Sequence, residues 1–115
     1  MELRAHISDT LDALGISRRY LGYELAADAI CLLVEDERSF RCICGSLFLR
    51  VADQHHCSRQ QVERNLRTVI RHAWTVNAGG LRQLAAYPLS QEPTVSEFVE
   101  IVALFVLRER QRPAC

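Results

Sequence analysis

The stretch "CSRQQVERNLRTVIRHAW", residues 57–74, carries four arginines and a single acid in a chain whose formal charge is zero. Placed at 100° intervals, Val62, Leu66, Val69, Ile70 and Ala73 fall in one arc, and Gln60, Arg64, Arg67 and Arg71 fall in a second. The stretch therefore reads as an amphipathic helix with one face for a core and its basic residues stacked on an exposed stripe. Ser58 offers an N-cap hydroxyl, and Gln61 stands three residues on, where its side chain can reach back to the Ser58 amide. The spacing predicts a helix over 58–77 that stops at Gly79-Gly80. Glu63 lies beside the stripe, placed to pair with Arg67 four residues later. Spacing alone leaves two readings open: a helix that reads DNA, or a solvated face that happens to be arginine-rich.

Working outward, the residues before this helix decide how it is presented. Leu47, Phe48, Val51 and Ala52 form the apolar face of a helix over about 43–55, and "HHCS" is a short turn. A helix, a three- to four-residue turn and a second helix with a polar stripe make a helix-turn-helix over about 43–77, whose second helix enters the major groove. Arginine is the side chain best shaped for guanine O6 and N7, and glutamate can accept from cytosine N4.

The rest of the chain is also helical in spacing, with no sustained strand-like alternation, repeat or linker. A first helix is predicted over about 8–14, ending at Gly15, a residue suited to the left-handed cap. A second is predicted over about 18–37, with Leu21, Leu25, Ala29, Leu32 and Leu33 on one side. After a short helix at 81–86, "YPLSQEP" is a loop punctuated by Pro88 and Pro93. A last helix covers about 94–110, opened by a second capping box of Thr94 and Glu97. The expectation is one all-α domain of about six helices.

Composition narrows the function. The 115 residues, 49% apolar and 24% charged, suit one ordinary globular core. The N-terminus lacks a signal-peptide pattern, so the mature protein is expected to start near Met1. The longest apolar run, 101–107, is far short of the roughly 20 residues a bilayer requires. A cytoplasmic protein that does not contact membranes is expected. Cys31, Cys42, Cys44, Cys57 and Cys115 are odd in number and irregularly spaced, which suits reduced thiols. All fourteen basic residues are arginine, a bias that codon usage alone can produce. His55, His56, Cys57, Cys42 and Cys44 are metal-binding residue types without a zinc spacing, so no metal is expected. Neither a nucleophile elbow nor a phosphate-binding glycine loop is present, and Glu35, Asp36 and Glu37 read as a solvated acidic run, so neither an enzyme nor a cofactor is expected.

The segments "LGYELAADAI", "LFLRVADQHHCSRQQVERNLRTVIRHAW" and "PTVSEFVEIVALFVLRE" together resemble the C-terminal DNA-binding effector domain of the sporulation-initiation response regulator, the stage-zero sporulation protein A family. The resemblance runs from about residue 7 to 109. It implies a six-helix all-α domain that binds short promoter boxes of double-stranded DNA as tandem copies and activates or represses transcription. Glu63, Arg64 and Arg67 match recognition-helix positions that contact DNA in that family, whereas Gln61 stands where the family has another arginine. Asp53 and Gln54 occupy positions that are basic there, and the "YPLSQEP" loop is shorter and lacks lysines. The family's full regulators also carry a phosphoacceptor receiver domain. The resemblance reaches only the effector part, so self-contained control by aspartyl phosphorylation is not expected.

The resulting assignment places Gln60, Gln61, Glu63, Arg64 and Arg67 toward base edges, and Arg59 and Arg71 toward phosphates. From 98 to 107 every residue except Glu100 is apolar, so the last helix is either buried centrally or offers an apolar face to a second chain. The expectation favours a homodimer formed partly through Leu104, Phe105 and Leu107. RNA polymerase or a related response regulator are further expected partners. The rival expectation is an interaction module that keeps the fold, binds DNA weakly or not at all, and modulates a related regulator; zero net charge favours it, because basic domains gain much of their affinity from phosphate neutralisation.

Overall fold

A computed structural model describes residues 2–111. Helix α1 spans Leu3–Ala13, five residues earlier than predicted at its start. The Glu2 carboxylate caps it by accepting from the Arg4 and Ala5 amides, and Leu3 extends the apolar row of Ile7 and Leu11. Its end is as expected: Gly15 has φ +83°, the Gly15 amide donates to Asp12 O and the Ile16 amide to Leu11 O. These are the paired closures of a Schellman cap.

Helix α2, Leu21–Glu35, begins three residues later than predicted. Leu25, Ala29 and Leu33 are buried, but Leu21 is 53% exposed. At the helix's first position, Leu21 projects past the packed face, so it is not a core residue. The segment after α2 is a 3-10 turn, Glu37–Arg41, capped by Asp36. The helix predicted over 43–55 is a π-helical turn, Ile43–Leu47, running into α3, Phe48–Gln54. Its face of Leu47, Phe48, Val51 and Ala52 is buried as expected.

Helix α4, Arg59–Leu84, contains the quoted stretch and is broken at Asn77, with φ −153° and ψ 54°. The break falls at the predicted end of the helix, about residue 77, and helical turns resume across Gly79-Gly80 to Leu84. The Asn77 carbonyl oxygen accepts from the Gly80 amide (3.0 Å), while its amide donates to Ala13 O at the end of α1 (3.1 Å). One side chain thus caps the helical turns that follow and ties the break to α1.

Helix α5, Val95–Gln111, opens with the expected box: the Thr94 amide donates to Glu97 Oε1 (3.0 Å), and the Glu97 amide to Thr94 Oγ1 (3.1 Å). It packs on α1, α2 and α4, burying Val95, Phe98, Val99, Ile101, Val102, Ala103 and Val106. Most of its apolar residues are therefore buried within the chain. Leu104, Phe105 and Leu107 are half-buried, and of the three Phe105 packs against the core. The radius of gyration, 13.2 Å, is that of one compact domain of this length. None of the helices described is long and apolar enough to cross a membrane.

Candidate nucleic-acid interface

The turn that presents α4 is built by three separate devices. First, α3 ends in the same paired closure as α1: the His56 amide donates to Asp53 O (3.3 Å) and the Cys57 amide to Ala52 O (3.0 Å). Here the left-handed position is held by His56, at φ 53°, instead of glycine. Second, His55 Nε2 is hydrogen-bonded to one oxygen of Asp28 in α2, while the other oxygen takes Arg4 of α1. Arg4 also reaches Glu24 at 2.9 Å. His55 is thus an anchor of the turn to two other helices. Third, the capping box at Ser58 is complete, with the Gln61 amide donating to Ser58 Oγ (3.1 Å) and the Ser58 amide to Gln61 Oε1 (2.8 Å).

From this cap α4 runs unbroken to residue 76. Val62, Leu66, Val69, Ile70 and Ala73 are buried, as the spacing predicts. Gly22 lets α2 approach closely: a Cβ there would lie 2.4 Å from the Asn65 carbonyl oxygen. The helix is thereby pinned on its inner side, and its outer side carries the candidate contacts.

Of those candidates, Gln60, Arg64, Arg67 and Arg71 are exposed on one face, and Arg59 is half-exposed at the helix start. Gln61 is exposed, but its carbonyl oxygen is committed to the cap, which leaves only its amide nitrogen for a ligand. Glu63 is half-buried, and no ion pair joins it to Arg67; the expected i, i+4 pair is not formed, and Arg67 stays available. Arg71 is less available: its Nε lies 3.5 Å from Glu92 Oε1, in the loop before α5.

Sequence reasoning missed several neighbours. Arg64, Arg67 and Arg71 line one groove together with Tyr20, Thr68, His72 and Thr75. Thr68 and Thr75 share the arc of Arg64 and Arg71 in the 100° projection and were legible there. Tyr20 was not, since its ring meets His72 (centroids 5.6 Å apart) only through tertiary packing. The loop that carries Tyr20 is fixed by Asp12, which accepts from Arg18 (2.8 Å) and from the Tyr23 hydroxyl (2.9 Å). The Arg18 guanidinium, and then the Tyr23 hydrogen bond, hold the Asp12 carboxyl below its usual range.

The metal-type residues do not converge. Among the described residues no group of three His, Cys, Asp or Glu could hold an ion. Cys31, Cys42, Cys44 and Cys57 are free thiols, and Cys115 lies outside the described residues. Burial, followed by the Glu35 hydrogen bond, pushes the Cys31 thiol up to about 12, which makes it a poor nucleophile and a poor metal ligand.

An all-helical domain in which α3, a four-residue turn and α4 present an arginine row outward has the architecture of a helix-turn-helix DNA-binding domain. The family described as "Sporulation initiation factor Spo0A C terminal" matches residues 7–106. The chain belongs to that family, which is one of DNA-binding effector domains of a sporulation regulator.

Proposed function

We propose that this protein is a sequence-selective DNA-binding transcription regulator that recognises promoter boxes through residues 58–77. The observation that carries the reading is the exposed row of Gln60, Arg64, Arg67 and Arg71 on the second helix of a rigidly capped helix-turn-helix. Arg64 and Arg67, whose side chains have no ion pair or hydrogen bond among the described residues, take base edges with Gln60, Gln61 and Glu63; Arg59 and Arg71 take phosphates.

Selection from a random duplex library, followed by mobility shifts, tests it. Arg64→Ala should cost about 1–3 kcal/mol on the selected box and flatten the preference among sequences. Arg71→Ala should weaken all duplexes alike and reduce the salt slope by about one. Equal loss on boxes and random DNA for Arg64→Ala would remove the base-reading role.

A second reading has support of its own. Net charge is zero and Glu92 already neutralises Arg71, as in a module that works through a related regulator or RNA polymerase. A library that yields no selective duplex at low salt would make this the better account. Self-association through Leu104, Phe105 and Leu107 has weaker support, since those side chains are already half-buried within one chain; tandem occupancy of neighbouring boxes does not require that face.

A further inference from the structure

We propose that the part of the groove lined by Tyr20, Arg71, His72 and Thr75, beyond the base-reading Arg64 and Arg67, seats a phosphodiester strand that flanks the base pairs read by the first turns of α4. This rests on the DNA-binding reading above and adds a second contact to it.

The groove is an open cavity of about 500 Å³ between the start of α2 and the outer face of α4. Its polar lining consists of guanidinium groups, two threonine hydroxyls, a tyrosine hydroxyl and an imidazole, and contains no carboxylate. Such a lining fits a polyanion. The Thr68 hydroxyl donates to Arg64 O, while those of Tyr20 and Thr75 have no hydrogen-bond partner among the described residues. Helix α2 starts at the groove with Tyr20 as its N-cap and no side chain capping its amides, so its positive end adds to the field there.

Length decides which part of the DNA meets the groove. From Arg64 to Thr75 the helix rises about 16 Å at 1.5 Å per residue. A recognition helix docks with its N-terminal residues at the base edges, so the C-terminal end of this row stands farthest from them. With the capped N-terminus in the groove, Arg71, His72 and Thr75 stand at the height of the sugar-phosphate wall, and Tyr20, held against His72, reaches the same wall from α2.

The test uses the whole chain and its selected box. The double variant Tyr20→Phe/Thr75→Val keeps both side-chain volumes and removes two hydroxyls. It should melt like the wild type and lose about ten-fold in affinity on box and random duplexes equally. A methylphosphonate scan of the duplex should find positions outside the box where neutralising one phosphate weakens the wild type by about ten-fold and the double variant by less than two-fold. Unchanged affinity of the double variant, or a loss that persists on the neutralised duplexes, would overturn the groove assignment while leaving base reading by α4 intact. Failure of the wild-type chain to bind any duplex would overturn both.

Discussion

His56 occupies a position where glycine is the usual solution. Its φ of 53° lies in the left-handed region, which costs an ordinary residue about 1–2 kcal/mol, and the closure of α3 onto the turn requires it. At Gly15 the same closure uses the residue best suited to it, and that cap was legible in the sequence. At His56 it was not, because nothing local marks a histidine as left-handed; the hydrogen bonds from His56 and Cys57 back to α3 impose it. His56→Gly should therefore be neutral or stabilising by up to about 1 kcal/mol, the relieved backbone cost being offset by unfolded-state entropy. His56→Val should destabilise by about 1–2 kcal/mol. Urea unfolding of the two variants checks the pair, and a destabilised glycine variant would mean that the imidazole itself contributes.

Helix α4 and its neighbours raise two questions at the scale of elements. The first is what holds the helix against α2. A methyl group at residue 22 would collide with the Asn65 carbonyl, backbone that cannot turn aside, so Gly22→Ala should cost about 1–3 kcal/mol and lower DNA affinity by shifting α4; calorimetry and mobility shifts would follow both effects. The second is what competes with DNA for its arginines. The Glu92 carboxylate is 29% exposed and Arg71 is 78% exposed, so the pair is worth at most about 1 kcal/mol. Glu92→Gln should tighten binding to all duplexes by a few-fold and steepen the salt dependence, since Arg71 would then meet phosphate without first leaving a carboxylate. Unchanged affinity would show that the pair opens at no cost.

Capping boxes at Ser58–Gln61 and Thr94–Glu97 and the buried face of α4 were readable because they depend on residues three or four apart. The end of the helix near residue 77 was readable too, but the role of Asn77 was not, because its side chain completes a contact with Ala13, sixty-four residues away in sequence. The Tyr20–His72 side of the groove escaped for the same reason. The stripe of Gln60, Arg64, Arg67 and Arg71 was readable as a face, but the engagement of Arg71 by Glu92 and the absence of a Glu63–Arg67 pair depend on side-chain placement in three dimensions.

Over the whole molecule, most of the apolar surface of α5 packs within one chain. Phe98 is fully buried in its first turn, and Phe98→Ala should cost about 3–5 kcal/mol, a large part of the roughly 5–15 kcal/mol typical of a domain; thermal melts would register it. With Leu104, Phe105 and Leu107 half-buried, sedimentation off DNA should give a monomer at tens of micromolar. A stable dimer there would return those three residues to an interface. Zero net charge acts at this scale too, since long-range attraction to DNA is weak unless local arginine density supplies it.

The two ends of the α4 segment are closed independently, by the Ser58–Gln61 box and by Asn77, and its inner face is a short set of buried residues. The candidate contact positions between those closures form a cartridge. Exchanging Gln60, Glu63, Arg64, Arg67 and Arg71 for the side chains of another family member, with the caps and inner face kept, should transplant that member's sequence preference into this chassis without refolding the rest.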